Sequence, residues 1–222
     1  MQPRISASAA PLHPDPNYDL VARFYPSLER CVFGFNLEIA RQAFYETALQ
    51  SDRLLLVGEG NGRFLGSLVA RKTGGSICVV EKSRVMIRLA KDRTNNQGKT
   101  ELKFVEADIR SYTAEQPFDC IVTHFFLDQF GPRAQQVIIN RFNELITDDG
   151  TWINVDFTPP RTMAGRALMS LQYTFFRIMS HIETRHCFDE SVIAAQSGWI
   201  VSESVEFLDG FVVAKRYNRS RR

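Results

Sequence analysis

An apolar run that passes directly into three alternating glycines constrains this chain more than any other stretch. Residues 54–57 are three leucines and a valine, and Gly58, Gly60 and Gly62 follow. An uninterrupted apolar run is typical of a strand buried on both faces, as in a parallel sheet. Glycine has no Cβ, so it allows a sharp turn and the close approach of a ligand. The stretch predicts a strand, a ligand-binding turn and a helix whose free N–H groups point into the turn.

Spacing separates three kinds of ligand that such a turn could bind. A phosphate-binding loop of the G-x-x-x-x-G-K-[ST] type needs a lysine where this chain has Arg63. The third glycine of a dinucleotide-binding G-x-G-x-x-G fingerprint would also fall at Arg63. What remains is G-x-G-x-G followed by Glu81, which closes the next apolar run at residues 77–80. A carboxylate at this place suits a ribose diol, because its two oxygens can accept hydrogen bonds from both hydroxyls.

These residues resemble the class I S-adenosylmethionine-dependent methyltransferases, and the resemblance covers residues 18–217. Residues 106–109 after a third strand, residues 118–124 as a fourth strand and a carboxy-terminal hairpin support it. The resemblance implies an α/β, Rossmann-like fold: a seven-stranded, mostly parallel sheet with an antiparallel carboxy-terminal hairpin, helices on both faces and an amino-terminal helical lid. It also implies S-adenosyl-L-methionine as cofactor and S-adenosyl-L-homocysteine as product.

One position departs from that family's pattern. The family usually has an acidic residue two places before the first glycine, where it helps hold the methionine end of the cofactor, and this chain has Leu56 there. Glu59, inside the turn, is a hypothesis for a substitute charge facing the cofactor ammonium. The other cofactor-binding residues that the resemblance implies are Gly58, Gly60, Asn61, Gly62, Phe64, Glu81, Lys82, Met86, Asp108, Ile109, Thr123, His124 and Phe125.

The end of the fourth strand is where we expect the chemistry. Ligands of open α/β sheets bind beyond the carboxyl ends of the strands, near the point where strand order reverses. Methyl transfer depends mostly on holding the nucleophile in line with the methyl group, and a base matters only if the nucleophile must lose a proton. His124 is the first candidate for a catalytic base, since its ordinary pKa is close to neutrality. Asp128 is the second.

The order of elements predicts one methyltransferase domain at residues 18–217, between a mobile arm at 1–17 and a basic tail at 218–222. Helices over residues 18–34 and 36–50 form the predicted cap, and residues 157–187 form a substrate-side insertion that contains a long helix, apolar on two sides, over residues 162–182. Aromatic and arginine side chains of these segments suit an acceptor that is aromatic or carries a carboxylate or phosphate. The predicted substrate-binding residues are Tyr18, Tyr25, Arg41, Arg161, Tyr173 and Arg177.

Composition narrows the setting. The four cysteines form no C-x-x-C pair, no apolar run is long enough to span a membrane, and no signal-peptide pattern opens the chain. We therefore expect a cytoplasmic protein, monomeric or homodimeric. No spacing of histidine, cysteine and acidic residues fits a metal site, so we expect no metal. A net charge of +2 and the absence of an Asn/Asp-Pro-Pro-Tyr sequence after the fourth strand count against a nucleic-acid partner.

Function remains open in three respects. The acceptor and the methylated atom are not specified, although the chain is similar to the branch that contains quinone-biosynthesis C-methyltransferases. An NAD-dependent oxidoreductase is the first alternative, against which Arg63 and the terminal hairpin count. A protein that binds S-adenosylmethionine without catalysis is the second, and only Leu56 favours it.

Overall fold

The computed structural model describes residues 36–94, 100–161, 163 and 188–220. Within these ranges the strands are β1 Arg53–Val57, β2 Ser76–Glu81, β3 Glu101–Glu106, β4 Phe118–His124, β5 Ile146–Phe157, β6 Trp199–Phe207 and β7 Val212–Arg219. The helices are α1 Asn36–Arg41, α2 Tyr45–Gln50, α3 Arg63–Arg71, α4 Arg84–Thr94, α5 Pro132–Leu145 and α6 Glu190–Gln196, with a 3₁₀ turn at Leu127–Gln129.

All seven strands form one sheet in the order β3-β2-β1-β4-β5-β7-β6. Strands β1 to β5 run parallel, whereas β7 pairs antiparallel with both β5 and β6. The chain moves outward from β1 to β3 and then returns to place β4 on the other side of β1. Strand order therefore reverses between β1 and β4, which is where open α/β sheets bind ligands. The predicted Rossmann-like sheet with a carboxy-terminal hairpin is confirmed.

Two apolar layers bury the faces of the sheet. One layer contains Leu56 of β1, Phe64 of α3 and the buried faces of α1 and α2. The other contains Trp152 of β5 and the buried faces of α5 and α6, and there the Trp152 ring stacks on Tyr217 with centroids 4.4 Å apart. Alternate residues of each strand enter opposite layers. This alternation decides which side chains at the carboxyl end of the sheet face the glycine turn.

Several local predictions can be compared with the described residues. The single helix predicted over residues 36–50 is wrong, because α1 and α2 are separated at residues 42–44, where the N–H groups of Gln42, Ala43 and Tyr45 bond three residues back instead of four. Serine before a helical pattern predicts an amino-terminal cap, and Ser83 precedes α4. Its Oγ accepts a hydrogen bond from Met86 N at 3.2 Å, as such a cap does.

The remaining predictions about segments stay open. The arm at 1–17, the helix over 18–34 and the long helix over 162–182 lie outside the described residues, apart from Met163. The boundaries of the domain at 18–217 likewise stay predictions. No helix in the described part of the chain is long and apolar enough to cross a membrane.

Candidate active site

The glycine turn, residues 58–62, connects the end of β1 to the start of α3. Gly58, Gly60 and Gly62 have φ angles of 65°, 66° and 78°, the left-handed region that favours glycine. A Cβ on Gly58 would lie 2.3 Å from the Phe126 ring, and one on Gly62 would lie 2.7 Å from Cα of Ala90 in α4. For Gly60, no heavy atom of the described residues lies within 4 Å of that position. The outer glycines therefore pack against protein, whereas Gly60 borders space that a ligand can enter.

Glu81 ends β2 beside this turn. Its Oε2 accepts a hydrogen bond from Gly60 N at 3.2 Å, and its Oε1 accepts one from Ser83 N at 2.8 Å. The parallel pairing of β1 and β2 places Val57 opposite Val80, so the residue after Val80 reaches the turn. The structure thus brings together the glycine turn and the carboxylate that the sequence pairs with it.

Glu59 lies in the glycine turn, next to the start of α3. Its Oε1 accepts a hydrogen bond from Leu65 N at 2.9 Å, in the first turn of α3. Burial raises the pKa of Glu59 to about 7, against the opposing effects of the Leu65 hydrogen bond and the positive charge of Arg41. A carboxyl group with this pKa changes its charge close to neutral pH. Its interaction with a cationic ligand would therefore depend on pH.

His124 ends β4 and packs edge-on against Phe64 of α3, with ring centroids 4.5 Å apart. Both ring nitrogens are buried, and neither has a hydrogen-bond partner among the described residues. Burial, and secondarily the charge of Arg41, lowers the pKa of His124 well below its ordinary value. The imidazole is therefore neutral at pH 7. Buried polar atoms without partners are unusual in folded proteins, so these nitrogens are candidates for contact with a ligand.

Arg41, at the end of α1, joins these groups from above the sheet. Its guanidinium lies 4.7 Å from the centroid of the Phe125 ring and 3.6 Å from a carboxylate oxygen of Glu38. Phe125 follows His124 with a φ of 51°, a strained conformation for an aromatic residue, and its N–H donates to Val155 O at 2.7 Å. Backbone strain of this kind is common at functional sites. A cation, a neutral imidazole and an aromatic ring therefore share the carboxyl end of β4.

Four of the predicted cofactor-binding residues lie after β2 and β3. Both carboxylate oxygens of Asp108 accept hydrogen bonds from the Arg110 side chain, and Asp108 Oδ1 also accepts from Arg110 N at 2.9 Å. Burial alone would raise the pKa of Asp108, but these hydrogen bonds hold it below its ordinary value. The positive charge of Lys82 also lowers it. Met86 and Ile109 are buried beside this region.

Three of the predicted cofactor-binding residues, Thr123, Asn61 and Phe64, make contacts with other residues of the protein. The Thr123 hydroxyl donates to Asn154 Oδ1 at 2.8 Å and accepts from Trp152 Nε1 at 2.9 Å, in the layer opposite His124. Asn61 presents its backbone carbonyl to Arg93 Nε at 3.0 Å. Phe64 is buried and supports His124 from below. The Thr123 side chain enters the opposite layer, so only the Thr123 backbone can contact a ligand at the glycine turn.

Asp128, the second candidate base, lies in the 3₁₀ turn after β4. It is buried, and its backbone N–H donates to Asp156 Oδ2 near the end of β5 at 3.2 Å. Burial raises the pKa of Asp128 to about 7. Asp156 is 3% exposed and lies in the layer that contains Trp152, opposite His124. The structure therefore does not bring the two candidate bases into one group.

Of the six predicted substrate residues, two are described. Arg41 is at the site, as above. Arg161 instead makes two hydrogen bonds to the carboxylate of Glu206 on β6, at 2.9 and 2.8 Å. The other four, Tyr18, Tyr25, Tyr173 and Arg177, lie outside the described residues.

Sequence reasoning missed two residues that shape the site. Phe126 covers Gly58, and Asp156 accepts hydrogen bonds from the N–H groups of Leu127 and Asp128. An acidic residue next to the end of the apolar strand β5 was a usable signal for Asp156, because a carboxylate buried there needs partners. For Phe126 the sequence carries no comparable signal.

Comparison with known proteins finds a matching family model and solved structures with a similar fold. A family model described as a methyltransferase domain matches residues 54–150, from β1 into β5. No curated protein sequence matches the chain. Among solved structures, the N-methyltransferase NodS from Bradyrhizobium japonicum WM9 in complex with S-adenosyl-L-homocysteine is similar, with a TM-score of 0.62 and 17% identity over 89% of this chain and 98% of that one.

Two other solved structures are similar to the same degree. A S-adenosylmethionine-dependent methyltransferase from Methanosarcina mazei has a TM-score of 0.63 and 16% identity, over 81% of this chain and 98% of that one. The mitomycin 7-O-methyltransferase MmcR has a TM-score of 0.64 and 15% identity, over 90% of this chain and 60% of that one. Identities this low show a shared fold and do not transfer a substrate.

Residues 54–150 match a methyltransferase domain, and the chain has the fold of S-adenosylmethionine-dependent methyltransferases of known structure.

Proposed function

We propose that the enzyme methylates a small-molecule acceptor that is aromatic or carries a carboxylate or phosphate, bound beside His124 and Phe125. The observation that carries the proposal is the position of Arg41, whose guanidinium lies over the Phe125 ring and whose charge acts on the buried His124. An arginine next to aromatic surface suits an anionic or aromatic ligand. NodS is an N-methyltransferase and MmcR a mitomycin 7-O-methyltransferase, so the fold serves nitrogen and oxygen acceptors alike.

The residues around the glycine turn suit S-adenosyl-L-methionine as the cofactor, with S-adenosyl-L-homocysteine as its product. Glu81 presents carboxylate oxygens for the ribose hydroxyls, and the space at Gly60 allows the ligand to approach the backbone. Asp108 retains acceptor capacity for an adenine amino group beside the bonds it takes from Arg110, because each carboxylate oxygen has two lone pairs. Lys82, Met86, Ile109, Asn61 and Phe64 complete the proposed surface.

The methionine end of the cofactor carries an ammonium and a carboxylate, and two groups of opposite charge lie where it would extend. Glu59 is proposed to face the ammonium, because Leu56 stands where the family usually has an acidic residue. Arg41 acts electrostatically on both Glu59 and His124, so it lies close to each. The fit of these charges supports the assignment of this region to the reacting end of the cofactor.

The bound cofactor supplies an electrophilic methyl group on a sulfonium. The chain must then align the acceptor atom and exclude water. The neutral His124 imidazole can accept a hydrogen bond from an acceptor hydroxyl or amine, and Arg41 can bind an anionic group of the acceptor. The attacking atom gains positive charge as it bonds to the methyl group, the sulfonium becomes a neutral thioether, and the acceptor proton is released to solvent. Arg41 also opposes formation of an imidazolium, so we propose that His124 orients the acceptor more than it stores a proton. Asp128, bonded to Asp156, is not needed in this scheme.

Calorimetric titration tests the cofactor site. Wild type is expected to bind S-adenosylmethionine and S-adenosylhomocysteine with micromolar affinity, and not NADH. Glu81→Ala removes a charged hydrogen-bond acceptor, which weakens binding by about 1.5–3 kcal/mol. Glu106→Ala is the matched control, since Glu106 lies opposite Glu81 at the end of β3 and pairs with Arg84. Equal affinities in wild type and Glu81→Ala would remove Glu81 from the site.

A turnover assay tests the acceptor class. Formation of S-adenosylhomocysteine is followed with a panel of aromatic hydroxy acids, aromatic amines and their uncharged esters or amides. Arg41→Met is expected to raise KM for anionic acceptors at least tenfold and to leave KM for neutral ones nearly unchanged. Arg71→Met is the control, because Arg71 also lies over an aromatic ring, that of Tyr45, on the exposed side of α3. Equal losses for charged and neutral acceptors would refute recognition of an anion by Arg41.

The finer assignments complete the proposal. The similarity to quinone-biosynthesis C-methyltransferases predicts that carbon acceptors on electron-rich rings belong in the same panel, and mass analysis of the product identifies the methylated atom. We further propose that residues 18–217 form one domain that acts in the cytoplasm as a monomer or homodimer. Light scattering during gel filtration measures that oligomeric state.

A further inference from the structure

The segment after β4, residues 125–130, is fixed at one point by two buried side chains. Asp156 Oδ2 accepts hydrogen bonds from Leu127 N at 2.9 Å and from Asp128 N at 3.2 Å. On the other side, Gln135 Nε2 of α5 donates to Leu127 O at 2.9 Å and to Phe130 O at 3.1 Å. Asp156 Oδ1 accepts from Phe157 N at 3.0 Å, which fixes the carboxylate itself. The backbone around Leu127 is thus attached to β5 and α5.

The same segment contacts the candidate site. The Phe126 ring lies against Gly58, so closely that a Cβ on Gly58 would be 2.3 Å from ring atom Cδ2. Phe125 lies under the Arg41 guanidinium, and its carbonyl accepts from Gln129 Nε2 at 2.7 Å. A displacement of Leu127 would therefore move the two aromatic residues that touch the glycine turn and Arg41. Asp156 therefore influences the site through two consecutive residues, Phe125 and Phe126.

The charges around Asp156 favour a shared proton. Its buried carboxyl group interacts with that of Asp128, and two neighbouring buried carboxyl groups repel each other when both are ionised. Glu190 of α6 adds a further negative charge to the environment of Asp156. Lys215 of β7 lies 2.8 Å from Asp189 and 3.2 Å from Glu190, so its positive charge is shared by two other acids. Hydrogen bonds from Asn154 Nδ2 and Tyr217 Oη also go to Glu190.

Burial strengthens this preference. It raises the pKa of Asp128 to about 7 and the pKa of Asp156 well above its usual range, and the neighbouring charges of Asp128 and Glu190 raise the latter further. These shifts favour the retention of a proton by the pair, which is lost as the pH rises. Two adjacent carboxylates then repel each other, and the backbone N–H groups of Leu127 and Asp128 cannot compensate for both charges.

We propose that Asp156 is a positioning residue of the methyltransferase site, which holds residues 125–130 against the glycine turn as long as it shares a proton with Asp128. This inference rests on the proposed function in one respect, namely that the glycine turn binds the adenosyl ligand. Its consequence is that loss of the shared proton loosens the segment and weakens ligand binding from behind the site.

Calorimetric titration with S-adenosylhomocysteine at pH 6.5, 7.5, 8.5 and 9.0 tests the proposal. Asp128→Asn keeps a side chain that can donate a hydrogen bond to Asp156 at every pH, so its profile should lack the alkaline loss. We expect the ratio of wild-type to Asp128→Asn dissociation constants to rise at least fivefold between pH 7.5 and 9.0. Titration of Glu59 and of the ligand amino group is common to both proteins and cancels in this ratio.

Asp156→Asn provides the second arm. Its amide would place an N–H₂ group against one of the backbone N–H donors, so affinity should fall at least tenfold at every pH, with normal far-UV circular dichroism. Asp149→Asn, on the same strand and exposed, is the control and should match wild type. If Asp156→Asn does not fold, the comparison of wild type with Asp128→Asn remains decisive.

The outcomes separate the two proposals. A constant ratio across the pH range, or wild-type affinity in a folded Asp156→Asn protein, would overturn the positioning role while leaving the cofactor site intact. Failure of wild type to bind S-adenosylhomocysteine at pH 6.5 would instead contradict the proposed cofactor site.

Discussion

Gly60→Ala is the substitution that most directly tests where the cofactor binds. Gly60 has a φ of 66°, and no heavy atom of the described residues lies within 4 Å of its Cβ position. The new methyl group therefore meets no protein atom there. If the cofactor passes along the turn at this point, the methyl group meets the ligand instead. Binding should suffer more than folding.

The magnitude follows from two separate terms. An alanine in the left-handed region costs about 1–2 kcal/mol relative to glycine, and this term lowers the free energy of unfolding. A methyl group forced into a well-packed contact costs about 1–3 kcal/mol more. If that contact is with the ligand, the second term appears only in binding. It corresponds to about a 5- to 150-fold loss of affinity for S-adenosylmethionine.

Gly198→Ala is the matched control. Gly198 precedes β6 with a φ of 84°, and the described residues again leave its Cβ position open to 4 Å. The two variants should therefore lose similar unfolding free energy in chemical denaturation, but only Gly60→Ala should lose affinity in calorimetric titration. Equal affinities in the two variants would refute a cofactor that lies against Gly60. A stability loss far greater in Gly60→Ala than in Gly198→Ala would show that the open space is occupied by protein.

Three further predictions concern charge and burial. Because burial raises the pKa of Glu59 to about 7, Glu59 is mostly protonated below that pH and ionised above it. The affinity for S-adenosylmethionine should therefore increase from pH 6 to 7.5 in wild type relative to Glu59→Gln. Parallel calorimetric profiles of the two proteins would exclude Glu59 as the partner of the ammonium group. Because burial and Arg41 keep His124 neutral, the rate of S-adenosylhomocysteine formation should show no His124 titration near pH 6.5, whereas His124→Gln should lower kcat with little change in KM for the cofactor. Lys72→Met should lower the free energy of unfolding by about 1–3 kcal/mol in denaturant titration. The buried Lys72 ammonium donates to the backbone carbonyls of Leu49 and Ser51 at the end of α2, and both bonds would be lost.

The sequence predicts the part of the site that depends on local patterns. An apolar run, alternate glycines and a carboxylate at the end of the next apolar run are all short-range features, and parallel pairing of β1 with β2 then brings Glu81 to Gly60. The same holds for the cap at Ser83 and for the terminal hairpin, whose turn residues Asp209 and Gly210 both have positive φ. In each case the sequence distance is short or the strand register leaves no alternative.

Other features could not be predicted because they depend on which layer a side chain enters. The fourth strand was expected to present Thr123 and His124 to the cofactor together, but consecutive strand residues point to opposite faces. His124 packs on Phe64, while the Thr123 hydroxyl bonds to Asn154 and Trp152. Only the order of strands in space shows that the second face holds a polar network.

The same logic supports the proposal that Glu59 substitutes for an acid at position 56. Leu56 is 1% exposed and belongs to the apolar layer that also contains Phe64 and Phe125. A carboxylate there would be buried among apolar groups and would need a dedicated partner. Glu59 lies three residues later on the turn, where Leu65 N and the charge of Arg41 partly offset its burial. Moving the charge from strand to turn keeps the layer apolar and couples the carboxylate to α1, the helix that carries Arg41.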